Sequence, residues 1–140
     1  MKEVEEKIKE YNISDRVKML GFVSDIPSLL SITDLQLNAS YATEATSLSL
    51  LEGMSIGLPT VASDYGGNPF IVREDFNGYI FPQKNSKAMA DAIEKIIKNP
   101  DLAKEMGENA KKLYQTEFTG EIFAGNIEKV YYNLIEGAKK

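Results

Sequence analysis

The run Ser47-Leu-Ser-Leu-Leu-Glu52-Gly-Met-Ser-Ile-Gly57-Leu-Pro59-Thr60-Val-Ala62 decides the fold. From Ser47 to Ile56 it reads as a helix, with Leu50, Leu51, Met54 and Leu58 on one side and Ser49, Glu52 and Gly53 on the other. Gly57 can take the left-handed conformation that ends a helix, and Pro59 cannot continue one. Thr60-Val-Ala62 then reads as a strand. Helix, tight turn and buried strand in succession is the unit of a domain whose helices cover a parallel sheet.

Working outward, the same alternation continues on both sides. Upstream, Asp34 to Asn38 reads as a strand followed by a loop from Ala39 to about Thr46. Before it, Val17 to Phe22 reads as a strand ending in a glycine turn, and Ser24 is placed to cap a helix through Ile32 with Ile26, Leu29 and Leu30 facing inward. Residues 2 to 11 spell a short amphipathic helix with a narrow stripe of Val4, Ile8 and Tyr11 at helical spacing, and a solvated surface helix is the expected form. Downstream, the loop Ser63 to Gly67 leads to Asn68-Pro69, a cap and a first helical position, and to a short helix ending near Asn77-Gly78. Tyr79 to Phe81 is the fourth strand, followed by helices at Ser86 to Lys98, Pro100 to Tyr114 with Asn99 as cap, and about Glu121 to Ile135. The expectation is one α/β domain over residues 1 to 140, a three-layer Rossmann-like arrangement with about four parallel strands and helices on both faces. Ligands of such sheets bind beyond the carboxyl ends of the strands. That singles out the loop after Phe22, the loop from Ala39 to Ser47, and the loop from Ser63 to Asn68.

Composition narrows the chemistry. The net charge of −5 repels a phosphate backbone, and no cluster of Lys and Arg interleaved with aromatics occurs, so nucleic acid is not expected as a partner. With no Cys and no His, the chain has no thiolate nucleophile, no imidazole base and none of the usual zinc ligands. Carboxylates, hydroxyls, Lys, Tyr and backbone amides remain. The opening Met1-Lys-Glu-Val-Glu-Glu-Lys7 has no apolar signal core, and no apolar run approaches membrane-spanning length, so the expected location is the cytoplasm.

Within that repertoire the segment Glu44 to Glu52 carries the argument. A helix beginning near Ser47 presents unpaired amides and the positive end of its dipole, which suit a phosphate, and the hydroxyls of Thr46 and Ser47 add donors. The alternative is that Thr46 or Ser47 simply caps the helix. Glu52 has Leu48 and Ile56 four residues away on either side, hence no ion-pair partner on its own helix, and is flanked by small residues that would let a ligand approach. The alternative there is a solvated glutamate. Glu44, just before the helix, is stabilised electrostatically in any case, and a carboxylate there can accept hydrogen bonds from vicinal sugar hydroxyls. Gly66-Gly67 would let a third loop approach the same ligand, or would serve only a tight turn.

These residues have a familiar order. Glu44-x7-Glu52, the run from Gly53 through Gly57-Leu58-Pro59 to Ala62, Asp64-Tyr65-Gly66-Gly67, Pro69 and Asn77-Gly78-Tyr79 together resemble the C-terminal donor domain of family 4 (group 1) glycosyltransferases, which have the GT-B fold. The resemblance spans about residues 16 to 115. It implies transfer of a hexosyl group from a nucleotide-diphosphate sugar (UDP-, GDP- or ADP-linked) to an acceptor hydroxyl with retention at the anomeric carbon. No bound metal and no cofactor beyond that donor substrate are implied. By the same resemblance Glu44 is the catalytic-site residue holding donor-sugar hydroxyls, and Glu52 binds the ribose. Backbone amides across Ala45, Thr46, Ser47 and Leu48 contact sugar or diphosphate, and Gly21, Phe22 and Val23 line the nucleobase.

Departures from the family pattern refine these expectations. Ala45-Thr46-Ser47 replaces Gly-Phe-Gly, which implies an altered sugar preference, and Phe70 stands where a glutamate often follows the proline. The family's domain opens with two further strands, bearing cationic residues that clamp the diphosphate, and is preceded by an acceptor domain. The four strands read here correspond to the third through sixth of a 3-2-1-4-5-6 sheet, so the strand at residues 34 to 38 is expected to expose an edge. Such an edge invites a homodimer or the missing N-terminal partner. Peripheral membrane association would come through the full-length protein. The isolated chain is expected to be catalytically silent, the alternative being a non-catalytic nucleotide-sugar-binding or regulatory module of another chain.

Overall fold

A computed structural model describes residues 2–42 and 45–137. Helix α1 (Lys2–Glu10) and helix α2 (Ile26–Ser31) precede strand β1 (Gln36–Asn38). Helix α3 (Leu48–Ile56), strand β2 (Thr60–Ser63), helix α4 (Asn68–Ile71) and strand β3 (Gly78–Phe81) follow. Helices α5 (Ser86–Ile97) and α6 (Pro100–Leu113), a π-helical turn (Tyr114–Phe118) and helix α7 (Gly120–Gly137) complete the chain.

The three strands are parallel in the order β1-β2-β3. Leu37 pairs with Val61, and Val61 in turn with Tyr79. Successive strand residues face opposite sides, so Val61 and Ala62, both fully buried, enter different cores. Ala62 joins Leu50 and Met54 of α3, Ile71 of α4, and Ala110 and Leu113 of α6. Val61 joins Tyr79 and Phe81 with Ala92 and Ile96 of α5 and Met106 of α6. Helices therefore cover both faces, giving the expected three layers. Gly57 ends α3 in the left-handed conformation (φ 91°), as its sequence position predicts. There α3 meets α6 backbone to backbone, because a Cβ at Gly107 would overlap the Gly57 carbonyl oxygen.

Among the described residues the sheet has three strands where four were expected. Val17 to Phe22 joins no ladder: Val17 N–H bonds back to Ile13 O at 3.1 Å, and Gly21 is left-handed at φ 64°. β-branched and aromatic residues make a strand only beside a partner, and none lies next to this segment among the described residues. Strand β1 is thus an edge, pairing with β2 alone, and Leu37 is 50% exposed.

Other boundaries shift for local reasons. Asp25 caps α2 in place of Ser24, its Oδ1 accepting from Ser28 N–H at 3.1 Å, and hydrogen bonding from the Ser28 side chain first and its backbone second lowers the pKa of the carboxyl from its ordinary value. Helix α4 stops at Ile71 and not near Asn77, because Asn77 turns inward and closes the segment itself. Its Oδ1 accepts from Arg73 N–H at 2.7 Å and its Nδ2 donates to Ile71 O at 3.0 Å. Gly67 is the cap of α4, while Asn68, assigned that role from the sequence, is its first residue and is fully buried. Asn99 caps α6 as expected, accepting from Leu102 N–H at 3.2 Å. Helix α1 buries no residue, in line with the solvated reading.

Candidate functional site

Parallel pairing places the ends of β1 and β2, the start of α3 and the start of α4 at one end of the sheet. Two concavities open there. The first is a groove of ≈ 820 Å³ in which Lys18, Gly21, Phe22, Val23 and Leu29 face Glu52 of α3. Gly21 makes the turn that leaves Phe22 95% exposed at its lip. The second is a hollow of ≈ 310 Å³ bounded by Ala45, Thr46, Gly66, Gly67, Phe70 and Phe118. Gly67 is required in its floor, since a Cβ there would overlap the Ala45 carbonyl oxygen. This close approach is made by the chain itself.

Along the chain, the N-terminus of α3 runs from Thr46, which lines the hollow, to Glu52, which lines the groove. Leu50 and Leu51 N–H reach back to Ser47 O at 3.1 and 3.3 Å, whereas Leu48 and Ser49 precede any intrahelical acceptor. Ser47 is the N-cap residue but makes no side-chain cap bond. Its hydroxyl, 3% exposed as a residue, accepts from Asn38 Nδ2 at 3.0 Å and lies 3.0 Å from Ser49 Oγ. Of the two hydroxyls read as donors, that of Ser47 is therefore engaged within the chain, and Thr46 is exposed. Among the described residues neither Thr46 nor Ser47 makes a side-chain cap bond to this terminus, which removes the simpler alternative for this segment.

Glu52 is exposed one turn into α3 and has no ion-pair partner among the described residues. Gly53, read as leaving room for a ligand, is instead buried against Gln36, whose Nε2 donates to Leu50 O at 3.0 Å and Thr60 Oγ1 at 2.7 Å. The small residue serves helix-to-sheet packing. Leu48 projects outward at 72% exposure. Glu44 lies outside the described residues.

The structure thus joins Gly21, Phe22 and Val23 to Glu52 in one groove and Ala45 and Thr46 to Gly66-Gly67 in a neighbouring hollow. Two features escaped the sequence reading. Lys18 enters the groove from a segment read as a strand, and a buried polar cluster of Asn38, Ser47, Ser63 and Asn68 underlies the site. Polar residues ending short apolar strands, Asn38 and Ser63, were the available signal for the latter.

Residues 1–113 match the family described as glycosyl transferases, group 1. This chain belongs to that family. Its fold is the C-terminal half of the GT-B arrangement. Among curated relatives, the N-acetyl-alpha-D-glucosaminyl L-malate synthase of Bacillus anthracis is 30% identical over 132 residues, 94% of this chain and 34% of that protein. The chain thus spans about a third of that relative. Among solved structures, Alr3699/HepE of Anabaena in complex with UDP superposes with a TM-score of 0.88 at 28% identity, covering 94% of this chain and 36% of that one. The same protein has been solved with UDP-glucose. A C-terminal domain of a group 1 family protein from Francisella tularensis superposes with a TM-score of 0.75 at 28% identity, covering 85% of this chain and 62% of that one. Among the described residues, no helix of this glycosyltransferase-family chain is long and apolar enough to cross a membrane.

Proposed function

We propose that this chain is the donor-binding portion of a retaining glycosyltransferase that moves a hexosyl group from a UDP-sugar to an acceptor hydroxyl. The observation that carries the reading is the meeting of the Gly21-Phe22-Val23 loop with Glu52 in one groove beside an uncapped helix terminus. In this reading the base lies along Gly21 to Val23, where Leu29 supplies an apolar wall and Phe22 an exposed ring. The Glu52 carboxylate accepts hydrogen bonds from both ribose hydroxyls. The free amides at the start of α3 receive the diphosphate, where peptide dipoles favour negative charge. The sugar turns toward the hollow of Ala45, Thr46 and Phe70, with Glu44 holding its hydroxyls.

Charge develops on the leaving diphosphate during transfer and needs preorganised donors around it. The α3 terminus supplies one side, and Lys18 is the cation nearest the groove's lining. We assign the isolated chain binding without transfer, since the α3 terminus and Lys18 alone offer few of the preorganised donors that transfer needs. The alternative reading is a binding module that serves another polypeptide.

A two-dimensional amide NMR titration with UDP, GDP, ADP and their sugar conjugates tests both. Shifts are expected at Gly21 to Val23 and Ala45 to Glu52, largest for UDP. Glu52→Gln should weaken UDP about tenfold or more, from the ~1.5–3 kcal/mol of a hydrogen bond to a charged group. Dispersed resonances that stay still at millimolar nucleotide would overturn the proposal. Transfer that returns only on adding the rest of the protein favours the first reading, and binding without transfer even then favours the second.

A further inference from the structure

A serine with extended backbone at the N-cap position ordinarily turns its hydroxyl onto the first amides of its helix. Ser47 has that backbone (φ −79°, ψ 101°) and does not do so. The reason lies beneath it. Among the described residues, Asn38, the last residue of β1, has its Oδ1 engaged by Ser40 N–H at 2.9 Å and Asn68 Nδ2 at 3.3 Å. That fixes the orientation of the carboxamide, and its Nδ2 is left pointing at Ser47 Oγ, 3.0 Å away. The cluster is anchored further down. Asn68 Nδ2 also donates to Ser63 Oγ at 3.2 Å, and Ser63 Oγ donates to Ser40 O at 2.6 Å. Ser63 and Asn68 are fully buried, so the arrangement is held rigidly between β1, β2 and α4.

We propose that Asn38 is a positioning residue: by holding the Ser47 hydroxyl it keeps this serine from closing the α3 terminus, leaving the first amides for the ligand's phosphate. The inference rests on the donor-site reading above and adds a residue that touches no ligand. A serine at this point would compete with an incoming anion for the same N–H groups. Asn38 removes the competitor without removing the serine.

The test is a double-mutant cycle read by UDP titration of the chain, with thermal denaturation alongside. Asn38→Ala frees Ser47 to cap, and UDP affinity is expected to fall about fivefold, the equivalent of displacing an N-cap. In the Ser47→Gly background there is no hydroxyl to release, so Asn38→Ala should change affinity by less than twofold while still lowering the melting temperature. Equal losses of affinity in the two backgrounds would reduce Asn38 to a structural residue and overturn the inference. Ser47→Gly alone gives a readout that needs no change at Asn38. If Ser47 is held off the terminus, amide exchange at Leu48 to Leu50 stays as in the parent chain. Faster exchange there would show that Ser47 caps after all and would overturn the inference. Absence of UDP binding by the parent chain would remove the donor-site reading itself, and the inference with it.

Discussion

Helices α6 and α7 both carry apolar residues at helical spacing, yet α6 buries Met106, Ala110 and Leu113 whereas α7 buries none of its residues. On α7, Phe123, Ile127, Val130, Tyr131, Leu134 and Ile135 are all exposed. The same contrast separates the block from Ser47 to Leu113, which holds all the buried hydrophobic residues among those described, from α1 and α2, which bury none. An amphipathic pattern states which face of a helix is apolar. Whether that face is covered depends on an opposing surface, and only α3 to α6 have the sheet to provide it.

The contrast can be broken most forcefully inside the block. Met54 of α3 is fully buried beneath Ala62 and Leu113, so Met54→Ala removes its contacts and leaves a cavity. The expected loss is about 2–5 kcal/mol, measured by urea denaturation. On the flank, Val130→Ala on α7 deletes atoms that face solvent. Its expected effect in the isolated chain is within about 0.5 kcal/mol, and a loss as large as that at Met54 would mean α7 is packed after all.

A smaller effect sharpens the comparison on the other face of the sheet. Burial raises the Tyr79 phenol above its ordinary value of 10.0, helped by the charges of Asp75 and Glu74, while Lys95 Nζ sits 4.7 Å from the ring centre. The folded state therefore favours the protonated phenol. Its contribution is fully present below the unfolded value of 10.0 and is lost as pH rises through the higher folded value. As pH rises from 10.0 through the folded value, stability should decline more steeply in the parent chain than in Tyr79→Phe, as followed by denaturation at a series of alkaline pH values.

What the sequence disclosed follows the division between local and nonlocal causes. The Gly57 cap, the Asn99 cap and the inward face of α3 depend on neighbours a few residues away and were readable there. The strand expected at Val17 to Phe22 depended on a ladder partner, which no local pattern can supply, and the segment instead lines the groove. Helix α4 was read too long because Asn77 looked like a helix end, when its carboxamide closes a turn across Ile71 and Arg73. At the site, the structure brings Gly21, Phe22, Val23 and Glu52 together in one groove. The diversion of Ser47 by Asn38 was not legible, since the two side chains meet only once β1 and α3 are side by side. Gly53 gave a misleading signal for the same reason: its vacancy is filled by Gln36 from the sheet.

The glycine crossing between α3 and α6 carries a consequence for how the chain is made. Gly57 and Gly107 touch through their backbones, so the two helices sit closer there than any side chain would allow. α6 is the last helix to enter both cores, through Met106 on one side and Ala110 and Leu113 on the other. During synthesis, α3 and all three strands leave the ribosome before the helix that seals them. Neither core closes until the residues around Gly107 have emerged, and a nascent chain stopped short of α6 carries the sheet with Met54 and Val61 still uncovered, the state most open to chaperones and to aggregation.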